Sequence, residues 1–362
     1  MKQLDKNTRA YFIAREHRKR KRLLRESRKQ PPKPSVVTIY VEAPQVFTIT
    51  SSRSRKELLR FIAAIKLHLT TRVTRLCIDF RRTNHLVSDG TLLFYSELWR
   101  AINLQNKATT IVCKYPDNGK VEQALQKIGF FKLIGKPDRL NEDDFSEDVK
   151  HWRVATGEQV LGERCDALLN PYDGMIAQQL NNSLYTGAVE AMTNCVHHAY
   201  FEERGDGVSL ENEIKRWWMF SQERDGELTV AICDLGVGIP RSFRFKKVPG
   251  WKQSIESFLS KFKVSFIKNP DGFLIKAAIG LGESRTLLPH RGMGLQQIVD
   301  VVATSNCGEL LIHSNSGMYA YVATDNAQEK LVEYHQSIAG TIIQWKIPLC
   351  RASDHDGADR DN

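Results

Sequence analysis

Glu190 and Asn194 are the first residues whose types and spacing point to chemistry. The segment 187–200 around them has apolar residues at helical spacing, so a helix is predicted with both polar side chains on one of its faces. An asparagine oxygen suits Mg²⁺, which prefers oxygen ligands and retains water or phosphate in its shell. A carboxylate one turn away can orient or deprotonate a water or a hydroxyl group. The alternative is that the pair belongs to an ordinary polar helix surface.

Asp234 stands at the end of the second of two strand-like runs, which flank the hairpin signal Asp225-Gly226. A carboxylate at a strand end can accept a hydrogen bond from an adenine amino group. Gly236 and Gly238 lack a Cβ and would let the backbone approach a flat ring closely. On its own, this D-x-G-x-G pattern is equally typical of a tight turn.

A second glycine pair, Gly292 and Gly294, precedes a helix predicted to run to about residue 302. Glycines that open a helix leave backbone N–H groups free to bind phosphate, and Arg291 adds a positive charge beside them. Residues 308–324 then predict two strands around a turn, and residues 340–349 predict a final strand. The predicted order is therefore helix, hairpin, long loop, helix and strands.

Together these motifs resemble the GHKL superfamily of ATP-binding domains, which includes gyrase, the heat-shock chaperone, histidine kinases and the MutL mismatch-repair proteins. The resemblance covers about residues 151–350. It implies an α/β sandwich whose mixed sheet carries helices on one face, with Mg-ATP beneath a mobile lid at residues 240–290. It makes Glu190 the catalytic base and Asn194 the Mg²⁺ ligand. The residues it assigns to nucleotide binding are Asn194, Asp234, Gly236, Gly238, Arg285, Arg291, Gly292, Gly294 and Thr341.

Residues 35–137 alternate strand-like and helix-like segments, which predicts a separate small α/β domain. The expected strands and helices alternate as 36–41, 54–69, 75–80, 90–102, 109–115 and 121–128. The run 78–102 resembles the STAS fold, in which a loop of the form D-S-S-G opens a helix. In phosphorylated members the acceptor is the second serine, and here Asp89 takes that position beside Ser88. Ser88 is then a displaced acceptor, or Ser88 and Asp89 cap the helix.

The segment 190–200 resembles most closely the anti-sigma-factor serine kinases, whose substrates are STAS proteins. Three functions stay open. The first is an ATP-hydrolysing conformational switch that regulates an unknown protein partner through the STAS-like domain. The second is a protein serine/threonine kinase, and the third is a nucleic-acid-associated regulator with ATP as its effector. The resemblance also implies an ATP-dependent homodimer, and the pairing of the two domains suggests a bacterial origin.

The excess of positive charge lies at the N-terminal end of the chain. Of 52 Lys+Arg and 42 Asp+Glu, residues 1–34 hold thirteen and three, which leaves 39 of each sign elsewhere. This basic arm can neutralise nucleic-acid phosphates, or it is a solvated tail. Residues 138–150 predict an acidic linker and residues 351–362 a disordered tail. The chain has no apolar run near the ~20 residues of a membrane span and no secretory signal, and its seven scattered cysteines predict buried free thiols, so a cytoplasmic location is expected.

Overall fold

The computed structural model describes residues 6–27, 37–70, 75–104, 109–172, 175–176, 178–244, 251–262, 270–283, 294–304, 307–324 and 326–349. The chain divides into two compact units, Met1–Thr38 and Ile39–Asn362. In the first unit, the predicted basic arm contains helix α1 (Lys6–Ser27), whose residues 14–22 are all exposed. No helix in the described ranges is long and apolar enough to cross a membrane.

The second unit begins with the predicted alternation of strands and helices, which is confirmed. Its elements are β1 (Thr38–Glu42), β2 (Val46–Phe47), α2 (Ser52–Thr70), β3 (Arg75–Asp79), β4 (His85–Leu86), α3 (Ser88–Leu104), β5 (Thr110–Lys114), α4 (Gly119–Lys127) and α5 (Phe130–Leu133). Strands β1, β3 and β5 form a three-stranded sheet in the order β1-β3-β5, in which β3 and β5 are parallel. Strands β2 and β4 pair separately, also in parallel.

The acidic segment 138–150 exposes residues 141–144 and Glu147 but is anchored to the protein at two points. It forms a 3₁₀ turn and helix α6 (Glu147–Lys150), and its apolar residues Phe145 and Val149 are buried. Arg139, just before the turn, forms an ion pair with Glu122 of α4. Phe145 and Val149 therefore anchor a segment that, from its charge alone, would be expected to lie entirely in solvent. We call residues 39–150 the N-terminal layer.

The rest of the unit is built on one seven-stranded sheet. Its strands are β6 (Arg153–Gly157), β7 (Trp217–Arg224), β8 (Glu227–Asp234), β9 (Glu309–Ser314), β10 (Gly317–Val322), β11 (Gln328–Glu333) and β12 (Thr341–Pro348). Their order is β11-β10-β9-β12-β8-β7-β6, and all neighbouring pairs are antiparallel. The prediction of a mixed sheet is therefore wrong. Tight hairpins join β7 to β8 and β9 to β10, and β12 enters between β8 and β9 in the opposite direction to both.

In the part of this region that the structure describes, six helices accompany the sheet: α7 (Gly162–Leu169), α8 (Gln178–Asn194), α9 (Ile239–Arg244), α10 (Trp251–Ser260), α11 (Asp271–Glu283) and α12 (Gly294–Ala303). A π-helical turn, residues 195–199, extends α8. The predicted lid, 240–290, thus includes α10 and α11, and α11 contacts β10 and β11. The helices predicted at 187–200 and from 292 to about 302 correspond to α8 with its turn and to α12.

Strand alternation gives the sheet two apolar faces. Trp217, Met219 and Trp345 belong to the core shared with α8 and α12. Their strand neighbours Trp218 and Phe220 belong instead to the core of the N-terminal layer. Helix α3 contacts β7, β8 and β12 on that second face. The expectation of helices on one face is therefore incomplete, because the N-terminal layer covers the other face within the same compact unit.

The prediction of buried thiols is confirmed for four of the six described cysteines, and Cys113 and Cys307 are half-buried. Cys165, Cys195 and Cys233 are buried free thiols, Cys77 is a fourth, and Cys113 is half-buried and free. Burial raises the pKa of Cys165 to about 12, so this thiol stays protonated at neutral pH. Cys350 lies outside the described residues.

Candidate functional site

The pair Glu190 and Asn194 lies where α8 meets the start of α12. A Cβ added to Gly294 would stand 2.6 Å from Oε2 of Glu190 and 3.5 Å from Nδ2 of Asn194. One turn earlier on α8, a Cβ on Gly187 would stand 2.5 Å from Cγ2 of Val301. Glycine on both helices therefore permits a contact that larger residues would prevent. The first and third predicted motifs come together at this point, with the first turn of α12 beside the two polar side chains.

Both side chains are half-buried. Nδ2 of Asn194 is buried and makes no hydrogen bond within the described residues. A buried amide without a partner costs free energy, on the order of 1–3 kcal/mol. An unmet hydrogen-bond donor beside a carboxylate and a helix N-terminus is compatible with a site for a polar ligand. It does not by itself separate such a site from a polar helix surface, the alternative interpretation of this pair, because buried donors without a partner also occur elsewhere among the described residues.

Asp234 occupies the end of β8 as predicted. Its Oδ1 accepts a hydrogen bond from the Gly236 N–H at 2.9 Å. Thr341, the first residue of β12, lies directly opposite Asp234 in the antiparallel register, and its hydroxyl also supports this carboxylate. Burial raises the pKa of Asp234 to about 6, although these hydrogen bonds and the charge of Arg204 act in the opposite direction. At neutral pH the carboxylate is therefore ionised and able to accept a further hydrogen bond.

The segment 234–238, which we call the glycine loop, is attached to the end of α8. The Val237 N–H donates to the Ala199 carbonyl at 2.8 Å. A Cβ on Gly236 would stand 2.2 Å from that same oxygen, so no other residue fits without a shift. The Leu235 N–H donates to the Tyr200 hydroxyl, which in turn donates to the Arg216 carbonyl. Helix α8 therefore carries Asn194, and the π-helical turn that follows it binds the glycine loop through Ala199, five residues after Asn194.

Two residues of the β9–β10 turn complete the surroundings of Asp234, and the sequence motifs missed both. The Ser314 hydroxyl accepts a hydrogen bond from Ile239 N–H and lies 2.9 Å from the Thr341 hydroxyl. Asn315 donates through Nδ2 to the Val237 carbonyl at 3.0 Å. A Cβ on Gly238, whose φ is +82°, would collide with the Asn315 side chain. The S-N-S-G turn signal at 314–317 marked a hairpin but gave no indication of these contacts.

The loop with Ser88 and Asp89 is sealed against the sheet. Ser88 is 3 % exposed, and its hydroxyl donates to Oε1 of Gln344 on β12 at 3.0 Å. Oδ2 of Asp89 accepts from the Ile49 N–H and from the hydroxyls of Thr48 and Thr50. The capping interpretation is therefore wrong for Ser88. Asp89 binds the first turn of α3 only through Oδ1, which accepts from the adjacent Gly90 N–H. A buried, hydrogen-bonded Ser88 is also closed to a kinase in this state.

Seven of the predicted site residues lie in described elements around α8: Glu190, Asn194, Asp234, Gly236, Gly238, Gly294 and Thr341. Arg285, Arg291 and Gly292 lie outside the described residues. In the described part of the chain, no group of three His, Cys, Asp or Glu residues could hold a metal ion.

No protein-family model matches this chain, and no curated protein is similar to it at a significant level.

Proposed function

We propose that this protein binds Mg-ATP between α8, α12 and the glycine loop, and hydrolyses it as a conformational switch. The observation that carries the proposal is the meeting of three separate motifs around α8. Gly294 contacts Glu190 and Asn194, and the glycine loop is fixed to Ala199 at the end of the same helix. This is the grouping that the resemblance to the GHKL superfamily predicts.

Each residue has a physical role in the proposed site. The ionised Asp234 accepts a hydrogen bond from the adenine amino group, and Thr341 with Ser314 holds that carboxylate in place. Asn194 supplies the protein oxygen to Mg²⁺. The N–H groups at the start of α12 face the phosphates, where the helix dipole favours negative charge.

Glu190 is the base of the proposed hydrolysis. Its carboxylate accepts a proton from a water as the water oxygen bonds to the γ-phosphorus. The bond from that phosphorus to the bridging oxygen breaks, and ADP leaves with the electron pair. Hydrolysis then returns the protein to its resting conformation. The N-terminal layer transmits this conformational change to a protein partner.

In the test, purified protein and Mg²⁺ are incubated with ATP that carries ³²P on its γ-phosphate. The measurement records where the ³²P is found afterwards. Free phosphate from the wild type supports the proposal if Glu190→Gln abolishes release but retains ATP binding. Asn194→Ala should lose both, because the metal ligand is absent. Glu227→Gln, a carboxylate at the opposite end of β8 from Asp234, is the matched control and should behave as the wild type. Release that survives Glu190→Gln unchanged overturns the role of Glu190.

The same experiment tests the kinase alternative. A kinase would leave the label on a protein instead of releasing it. The sealed position of Ser88 argues against this chain as its own substrate. If a second protein became labelled, the activity would be phosphoryl transfer instead of hydrolysis. The proposed Mg-ATP site would be the same in both cases. An ATP-dependent homodimer would appear in the same samples as a doubling of mass by light scattering.

Helix α1 supports nucleic-acid contact as a second function. Residues 15–22 contain six Lys/Arg and one Glu, all exposed. Such a basic helix can neutralise backbone phosphates, with an affinity that falls steeply with salt. Removal of residues 1–34 should abolish binding to a 30-base-pair duplex at 50 mM salt, whereas removal of residues 351–362 should not. Equal binding by the chain without residues 1–34 would contradict this function.

A further inference from the structure

Arg55 of α2 is a fully buried arginine that bridges the N-terminal layer and the turn after β9. Its guanidinium donates to three backbone carbonyls: Ile49 at 3.2 Å, Gln336 at 3.0 Å and Asn315 at 2.7 Å. It also lies over the ring of Tyr334, 4.2 Å from the ring centroid. The Tyr334 hydroxyl in turn donates to the Thr50 carbonyl at 2.6 Å. One side chain thus connects two carbonyls of the β9–β12 region to one of its own layer.

This arrangement is costly for a core residue. A buried charge is stabilised best by an opposite charge, and no carboxylate within 4.0 Å pairs with Arg55 among the described residues. Burial lowers the pKa of Arg55 to about 10, so the side chain remains charged at neutral pH. An apolar residue would fill the same space at lower cost. The hydrogen bonds, which only a planar guanidinium can make in this geometry, are therefore the distinguishing feature of the position.

Asn315, one of the residues that Arg55 binds, holds the glycine loop. Its Nδ2 donates to the Val237 carbonyl, and its backbone N–H donates to the Gly340 carbonyl, both at 3.0 Å. Its φ of 51° places it in the left-handed region, which an asparagine tolerates better than most residues. Gly340 directly precedes Thr341, and Val237 follows Gly236. Asn315 therefore contacts both the glycine loop that follows Asp234 and the residue before Thr341, which pairs with Asp234 across the sheet.

We infer that Arg55 is a positioning residue for the nucleotide site, through which the N-terminal layer sets the affinity for adenine nucleotides. The inference rests on the proposed function. The connection runs from α2 through the Arg55 guanidinium to the Asn315 backbone, and from the Asn315 side chain to the glycine loop. A movement of α2 against the sheet would shift the surface that faces the adenine ring. The N-terminal layer is then a regulatory element of the site, and a partner that displaces α2 would change nucleotide binding.

Arg100 provides a matched control, because it is equally buried and belongs to the same layer. It lies on α3 and forms ion pairs with Asp206 and Glu213 instead of binding the β9–β10 turn. The substitutions Arg55→Lys and Arg100→Lys both keep the charge and remove the planar fork. Both should lower the free energy of unfolding. Only the first should also change nucleotide binding.

The experiment measures Mg-ATP and adenosine affinity by calorimetry on the full chain, at a temperature where every variant is folded by circular dichroism. We expect Arg55→Lys to bind both ligands about tenfold more weakly than the wild type, and Arg100→Lys to bind them equally well. Asn315→Gly, which keeps the left-handed backbone but removes the side chain, should show the same loss as Arg55→Lys. The double variant should lose little more than either single one, since both act in one connection.

The outcomes separate the two claims. A wild type that binds neither ligand overturns the proposed function and this inference with it. A wild type that binds, together with an Arg55→Lys variant of unchanged affinity, overturns this inference alone. An equal loss in Arg100→Lys also overturns it, because the effect would then follow stability. If Arg55→Lys does not fold, Asn315→Gly decides the question, and unchanged binding by that variant overturns the inference.

Discussion

The two faces of the seven-stranded sheet have the same alternating strand pattern but opposite surroundings. Under α8 and α12, the face ends in the half-buried polar side chains of Glu190 and Asn194 and in close glycine contacts. Under α3, it is closed by aromatic packing and by the hydrogen bond from Ser88 to Gln344. The first arrangement leaves hydrogen-bonding groups half-exposed, whereas in the second Ser88 itself is buried. Apart from Arg55, whose guanidinium reaches Asn315 in the β9–β10 turn, substitutions on the two faces should therefore have separable effects, on binding for one face and on stability for the other.

The strongest test of the closed face is Trp218→Ala. Trp218 is fully buried on β7, and its ring meets Trp99 of α3 edge-on at 5.8 Å between centroids. Its removal should lower the free energy of unfolding by about 3–5 kcal/mol, because the lost contacts leave a cavity. Urea denaturation measures this loss, with Tyr40→Ala as the exposed control. The affinity of the folded fraction for Mg-ATP should stay within about twofold, and a larger change would mean that the faces are not separable.

Gly236→Ala tests the opposite face. The new Cβ would stand 2.2 Å from the Ala199 carbonyl oxygen, so the glycine loop must move away from α8. We expect Mg-ATP affinity to fall at least about tenfold, equivalent to ~1.4 kcal/mol. Gly280→Ala is the control, because Gly280 lies on α11 with no atom within 4 Å of its added Cβ. That control should leave binding unchanged and stabilise its helix by roughly 0.5–1 kcal/mol. Equal affinity of Gly236→Ala and the wild type would contradict the assignment of the loop.

The pH dependence of adenosine binding sharpens the assignment of Asp234. The pKa of this carboxyl is raised to about 6 by burial, so it becomes protonated as the pH falls through that value. Affinity should then decrease by up to about tenfold per pH unit below pH 6, because the protonated oxygen no longer accepts the amino hydrogen. Adenosine is the ligand of choice since it has no phosphate that titrates in this range. Glu333→Gln is the control, because burial raises the pKa of Glu333 to about 7. A profile that flattens in Glu333→Gln would assign the titration to Glu333 instead.

The smallest expected effect is that of Thr341→Val. This change keeps the strand and its volume but removes a hydroxyl that supports Asp234 and contacts Ser314. One lost hydrogen bond of about 1 kcal/mol corresponds to an affinity roughly fivefold lower. The pKa of Asp234 should rise further, which moves the midpoint of the adenosine profile to higher pH. Thr229→Val, at the far end of β8, should change neither quantity.

Local patterns predicted the elements of the site because each pattern is a short-range property. The helical spacing around Glu190, the hairpin signal at Asp225-Gly226 and the glycines before α12 each describe a few consecutive residues. All three elements are confirmed. Their joint role in one nucleotide site was an expectation from resemblance and stays a prediction. For the described residues, Gly294 lies beside Glu190 and Asn194, and Ala199 binds the glycine loop.

Long-range pairing could not be predicted in the same way. Strand β11 has exposed and half-buried residues with no clear alternation, so it was missed. The antiparallel path of β12 depends on which strands it enters between, which periodicity does not encode. Arg55 gave no signal at all, because an arginine on an amphipathic helix is ordinarily a surface residue. Its burial becomes evident only once the N-terminal layer lies against the sheet.

The central position of β12 in the sheet affects how the protein folds during its synthesis. Ser88 and Gln344 are 256 residues apart, and β12 lies between β8 and β9 in the middle of the sheet. A ribosome that adds about 5–20 residues per second completes Ser88 roughly 13–50 s before Gln344. Throughout that interval, α3 lacks its β12 partner, and β8 and β9, once they are made, also lack the strand that pairs with both. Both cores are therefore completed only when β12 emerges, and a chaperone that shields α3 during translation should raise the yield of folded protein.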